Sequence, residues 1–177
     1  MISERFNRWV RASKGLALIN EHFAVTAQGL GRLDTRLIDE TPRFIDISQQ
    51  HLTTASLDHE PTAFFNDHIL FSYLWALAAY ELARSVDQRC REEPPLFSVE
   101  FSRTIKSTKI AFERIRTPLA KFEPARRHQA TDSAVAWPAV HYDLGVGWSV
   151  GRDIYVLRRQ LADDLLSTLE ILKGLEP

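Results

Sequence analysis

Residues 116–128 read RTPLAKFEPARRH and close the most basic tract of a 177-residue chain. From Arg103 to His128 there are eight Lys or Arg residues (Arg103, Lys106, Lys109, Arg114, Arg116, Lys121, Arg126, Arg127). Only Glu113 and Glu123 oppose them, so the tract carries +6 and the remainder −7. The whole chain has a net charge of −1, so any attraction to nucleic acid must come from this local patch rather than from the overall field. The alternative is that Arg103, Lys106, Lys109, Arg114 and Arg116 form the wet side of an amphipathic helix. A second charged feature, Glu81 and Arg84, is spaced three apart in an apolar stretch. That spacing puts both on one helix face, as an exposed ion pair or as a functional one.

Other chemistries find little support in the residue spacings. Di-metal carboxylate bundles need Glu-x-x-His pairs to place two ligands on one helix face, and the chain has neither that spacing nor His-x-x-x-His. Its six histidines (His22, His51, His59, His68, His128, His141) lie in scattered contexts. The clusters Asp58–Glu60 and Asn66–His68 offer oxygen and nitrogen donors, but polar groups near a helix start more commonly cap it or face water. No metal or other cofactor is expected. Cys90 is the single cysteine, which excludes an internal disulfide and a cysteine zinc cluster; its arginine neighbours would lower the thiol pKa only if it were exposed. There is no Gly-x-Ser-x-Gly, and GVGWSVG at 145–151 lacks the spacing of a phosphate-binding loop.

The elements that must position these residues are mainly helical. Ile69 to Ala83 is the most apolar stretch, too short for a membrane span of roughly 20 residues, and reads as the buried central helix of a bundle. Start signals at Pro61 and Thr62 and the stop at Glu92–Pro95 give that helix about 28 residues. Next, Phe101, Ile105, Thr108, Phe112, Ile115, Leu119 and Phe122 recur at spacings of four and three, one continuous helix stripe. Pro118 is expected to kink or end this helix near Thr117, and Pro124 to close it. Leu161, Leu165, Leu169 and Leu172 mark a last helix stopped at Lys173–Gly174.

Towards the N-terminus, Ser3 can start one helix. Leu16, Ile19, Phe23, Ala27 and Leu30 suggest another, and Thr41 with Pro42 a third. Between Ser133 and Val156, β-branched and aromatic residues broken by glycines predict a small β-hairpin or meander, with Pro138 on an edge strand and a turn near Asp143–Gly145. The segment 123–132 is expected to be a flexible loop. The reading is a single, mainly α domain: N-terminal helices over 1–60, long central helices over 61–122, a β-hairpin over 133–156 inserted before a C-terminal helix over 157–174. The charged, polar N-terminus has no apolar signal-peptide core, so a cytoplasmic location without membrane attachment is expected.

The order of a long apolar helix with YELAR, a second helix ending in RTPLAK and a final helix resembles the HEPN superfamily of helical bundles. Many of its members are metal-independent ribonucleases of toxin–antitoxin and phage-defence systems. Their signature is Arg, often followed by Asn, then His after four to six intervening residues, typically RNxLAH. RTPLAK is similar, with Thr117 in the Asn place and Lys121 in the His place, and the resemblance covers about 64–173. It implies Arg116, Lys121 and His128 as catalytic candidates, and Arg103, Lys106, Lys109, Arg126 and Arg127 as RNA contacts. Cleavage by the 2′-hydroxyl needs a proton carrier near neutral pH and a cation for the developing charge. Lys is a poor base unless its pKa is strongly lowered, and no Arg in the chain has a His at family spacing. The resemblance therefore implies RNA binding without standard catalysis. Two alternatives stand beside it: a homodimeric interaction bundle using Trp137 and Trp148, and a metal- or ligand-binding bundle. All four tryptophans (Trp9, Trp75, Trp137, Trp148) also suit packing roles.

Overall fold

The structure is a computed structural model and describes residues 3–53 and 59–174. Helix α1 spans Glu4–Ala17, and Ser3 caps it by accepting from the Phe6 N–H at 3.4 Å. Helix α2, Glu21–Asp39, starts where Asn20 Oδ1 accepts from the His22 N–H at 2.8 Å. The stripe expected from Leu16 to Leu30 is therefore split between two helices, because the Asn20 side chain competes for the backbone and restarts the turn. Helix α3 spans Thr41–Thr53. Thr41 does not cap it as expected; its hydroxyl donates back to the Leu37 carbonyl at 2.8 Å.

Helix α4, His59–Glu92, has 34 residues and a length of about 51 Å. It begins before the proline that was expected to start it. Helix α5 spans Val99–Lys121, capped by Ser98, whose Oγ accepts from the Phe101 N–H at 3.1 Å. Of the two outcomes expected at Pro118, a kink or an end, the helix does not end there: α5 passes through it. Only one turn remains beyond it, and the ring is buried, so packing outweighs the missing N–H. The stop comes at Phe122, a left-handed residue with φ 56°.

Strands β1 (Trp137–His141), β2 (Gly145–Gly151) and β3 (Ile154–Leu157) form an antiparallel sheet in that order, one strand more than a hairpin. Pro138 lies on edge strand β1, as its missing N–H requires. Gly145, at φ +75°, closes the turn into β2 where a side chain would press on Thr41. Helix α6, Arg158–Glu170, follows β3 directly and ends in a tight turn over Ile171–Gly174 that contains Leu172.

Among the described residues, α1, α2, α4, α5 and α6 pack in a closed ring, each against the next and α6 against α1. Helix α3 and the sheet pack together on this ring, with β2 against α3, α5 and α6. Trp9, Trp75, Phe101, Phe112 and Trp148 fill the core, each at most 1% exposed. No helix among the described residues is long and apolar enough to cross a membrane.

The ring is closed by charge as well as by apolar contact. Asp34 on α2 is fully buried and receives Arg5 Nε at 2.5 Å, Trp9 Nε1 at 3.0 Å and Arg158 Nη1 at 2.6 Å. Arg5 reaches on to Asp163 of α6 at 2.6 Å, and the Arg158 guanidinium lies 5.5 Å from the centre of the Trp75 ring. Burial pulls the Arg158 guanidinium below the usual arginine range, and the Asp34 carboxylate opposes that pull. Trp9 reaches Asp34 only because Gly31 has no side chain: a Cβ there would sit 2.4 Å from Trp9 Cβ and Cγ.

Removing one partner of a buried ion pair strands the other, so Asp34→Ala is expected to lower the unfolding free energy by about 3–5 kcal/mol in urea titrations. Two glycines on α2 should respond in opposite directions. Gly29 faces open space, so Gly29→Ala should raise stability by about 1 kcal/mol through helix propensity. Gly31→Ala should lower it by about 1–3 kcal/mol by pushing Trp9 off its site.

Candidate functional site

On α5, Arg103, Lys106, Ile110, Glu113, Thr117 and Lys121 follow one another at spacings of three and four, so they share a face that the core stripe leaves free. Over the 18 steps from Arg103 to Lys121 that face rises about 27 Å. Its last turns, with Ile110, Glu113, Thr117 and Lys121, form one wall of a cleft of about 570 Å³. The facing wall is segment 123–129, including Arg126, Arg127 and His128.

This segment is held in place, contrary to the expectation of a flexible loop. Phe122 turns the chain back on itself, and residues 126–128 form a single tight turn closed by the His128 N–H on the Ala125 carbonyl at 2.7 Å. The Thr131 and Asp132 N–H groups both donate to the His128 carbonyl, at 3.0 and 2.8 Å. Arg114 then clamps the Asp132 carboxylate with two bonds of 2.8 and 2.9 Å, and Ser133 donates to the Val150 carbonyl on β2. The Arg114 hydrogen bond holds the Asp132 carboxyl below the usual carboxylate range. A paired, shielded anchor of this kind fixes backbone that composition alone marks as loose.

The fold thus brings Lys121, Arg126, Arg127 and His128 to one cleft. Arg126 and Arg127 are exposed, and no carboxylate among the described residues lies within ion-pairing distance of either; Lys121 is 3.7 Å from Glu123. Arg103 and Lys106 are exposed farther along the same face. Arg116 is not brought to the cleft. It lies about 140° around the helix from Lys121, with its guanidinium 5.3 Å from the centre of the Tyr80 ring on α4. Lys109 is turned to α4 as well, 2.8 Å from the buried Asp87 carboxylate, so its charge is largely neutralised. Glu81 and Arg84 form a 2.7 Å pair with both side chains about half exposed, a surface ion pair that raises the Arg84 pKa.

The remaining candidates occupy separate places. Cys90 is buried, and burial pushes its thiol pKa up, the reverse of what a nucleophile needs. Among the described residues no group of three or more His, Cys, Asp and Glu is placed to hold a metal ion. His51 and Asp58 of the metal candidates lie outside the residues whose side chains are described, while Glu60 pairs with Arg43. Of the two tryptophans considered for a dimer surface, Trp148 is in the core at 1% exposure and Trp137 stands out at 65%.

His68 is also buried, stacked on Phe44 with ring centres 4.4 Å apart; its Nδ1 makes no hydrogen bond and sits 3.6 Å from the Glu40 carboxylate. Neither Arg114–Asp132 nor Asp34–Arg158 announces itself in sequence, because the partners are 18 and 124 residues apart. No family model matches the chain, and no curated protein or solved structure was found to be similar to it.

Burial lowers the His68 pKa to about 4, with Arg158 and Arg36 adding to the effect and Glu40 opposing it. The folded state therefore binds fewer protons than the unfolded chain between the ordinary histidine value and pH 4. Stability should be intact above about pH 6.5 and fall by about 3 kcal/mol as the pH drops from there towards 4. Denaturant titrations across that range should show this slope in the wild type and a flatter one in His68→Phe.

Proposed function

We propose that this is a HEPN-like, RNA-binding helical protein that holds the phosphate backbone of RNA in the cleft at the end of α5 without cleaving it. The observation that carries this reading is the pair Arg126 and Arg127, exposed on an anchored turn, with no carboxylate among the described residues within ion-pairing distance, and lining the same cleft as Lys121. Cations held in this way are available to displace counterions from phosphates, whereas cations already paired, such as Lys109 and Arg114, are not. Arg103 and Lys106 extend the same face, so a strand leaving the cleft along α5 meets further positive charge.

Binding without cleavage follows from which groups share the cleft. Strand scission needs a proton carrier and a cation against one phosphate. Here Arg116 is engaged with Tyr80, no His stands at the family's spacing from it, and Lys121 is suited to hold charge beside Glu123. His128 is in the cleft wall and serves as a further donor to phosphate oxygens. The resemblance to HEPN proteins associates such a molecule with defence or toxin–antitoxin systems as a non-cleaving member.

Fluorescence anisotropy with labelled single-stranded RNA over a range of salt tests this reading. The wild type should bind with an affinity that falls as salt rises. Arg126→Glu with Arg127→Glu should weaken binding at least about tenfold and flatten the log–log salt slope by about 1.4, the loss of two phosphate contacts on a single strand. Arg84→Ala, on the exposed surface pair, should bind like the wild type, and no cleavage product should accumulate with either the wild type or Arg116→Ala. Salt-independent binding, or unchanged binding by the charge-reversed protein, would overturn the proposal.

A further inference from the structure

Next to the basic cleft, and sharing Ile110 and His128 with it, lies a second cavity of about 330 Å³ whose walls include Tyr155, Gln160, Ser107, Arg114 and the carboxylate-bearing Asp164. Tyr155 on β3 is 58% exposed. It is the third member of a row that crosses the sheet, because Trp137 pairs with Ser149 and Ser149 pairs with Tyr155. Trp137, 65% exposed, therefore stands on the same face as Tyr155, two strand spacings or about 10 Å away, with only the small Ser149 between them. Two large aromatic rings left in water on one sheet face, beside a cleft that carries Lys121, Arg126 and Arg127, form a stacking surface next to a phosphate-holding one.

We infer that Tyr155 is the seat of an unpaired nucleobase, and that Trp137 continues this seat across the sheet for a neighbouring base. The inference rests on the RNA reading above and specifies which RNA: a single-stranded stretch, because in a duplex the faces of the bases are stacked on one another and unavailable to a side chain. The division of labour follows the chemistry of the two walls. Lys121, Arg126 and Arg127 meet the backbone in the first cleft. Past His128, the phenol of Tyr155 meets the π-face of the base, and the Gln160 amide and Ser107 hydroxyl meet its polar edge. Arg114 takes no phosphate, since both of its bonds go to Asp132; it keeps the shared wall in place.

The test compares three ligands, single-stranded RNA of about ten nucleotides, an abasic ribose-phosphate oligomer of the same length, and an RNA duplex, against the wild type, Tyr155→Ala, Tyr155→Phe and the Arg126→Glu/Arg127→Glu protein. Thermal melts by circular dichroism confirm that each variant is folded. Tyr155→Ala should weaken binding of single-stranded RNA about tenfold without changing its salt slope, Tyr155→Phe should retain affinity, and neither should alter binding of the abasic oligomer. Among the described tryptophans Trp137 alone is exposed, so its fluorescence should be quenched by RNA and not by the abasic oligomer, and Trp137→Phe should remove the signal.

Wild-type affinity for the single-stranded RNA in Tyr155→Ala, or equal wild-type affinity for RNA and the abasic oligomer, overturns the base seat. The phosphate cleft still stands in that case if the charge-reversed protein loses both ligands. Failure of charge reversal to weaken binding of either ligand brings down the cleft itself, a distinct result.

Discussion

The whole arrangement depends on burying the carboxylate of Asp34. A bare carboxylate in a core of tryptophans is untenable, so every element around it must deliver a compensating group. Helix α1 delivers Arg5 and Trp9, α6 delivers Arg158, and α4 supplies the Trp75 ring beneath the Arg158 guanidinium. These requirements fix how closely α1 approaches α2, a contact possible only at Gly31. They also fix where the chain must enter α6, since Arg158 is the first residue of that helix and follows β3 without a linker. Apolar packing fills the ring, while the charges set the register of its members.

The cleft depends on this frame at one remove. Helix α5 lies between α4 and α6, so once α6 is tied to Asp34 the exposed face of α5 is determined. The segment after α5 is fixed from the other side by Arg114, Asp132 and the tie to β2. Phe122 joins the two, accepting a left-handed backbone that a non-glycine residue adopts at a cost of order 1 kcal/mol or more. Strain at the point where the wall of a cleft reverses direction is a common price of shape, compensated here by the bonds on either side.

The sequence disclosed what is local. The four-and-three spacing of Phe101 to Leu119 gave α5 its buried face, and Ser3 caps the helix it was expected to start. The edge position of Pro138 followed from its chemistry alone. What stayed hidden was decided at a distance. Pro118 reads as a breaker until its burial is known. Segment 123–132 reads as loose because Arg114 stands 18 residues before its partner. For the site, the resemblance implied Lys121 and His128, which line the same cleft, and also Arg116, which the fold turns towards Tyr80. Arg126 and Arg127 differ from the other cations by having no carboxylate among the described residues within ion-pairing distance, a property that no linear pattern contains.

The sequence separations within the Asp34 cluster also bear on how the chain is made. Asp34 leaves the ribosome soon after Arg5 and Trp9, 29 and 25 residues behind them, whereas Arg158 follows 124 residues later. A nascent α1–α2 hairpin can thus neutralise its own carboxylate with Arg5 long before the final helix exists. The second arginine can join only once the chain has been made through α6, by which time Arg5 already opposes the anion.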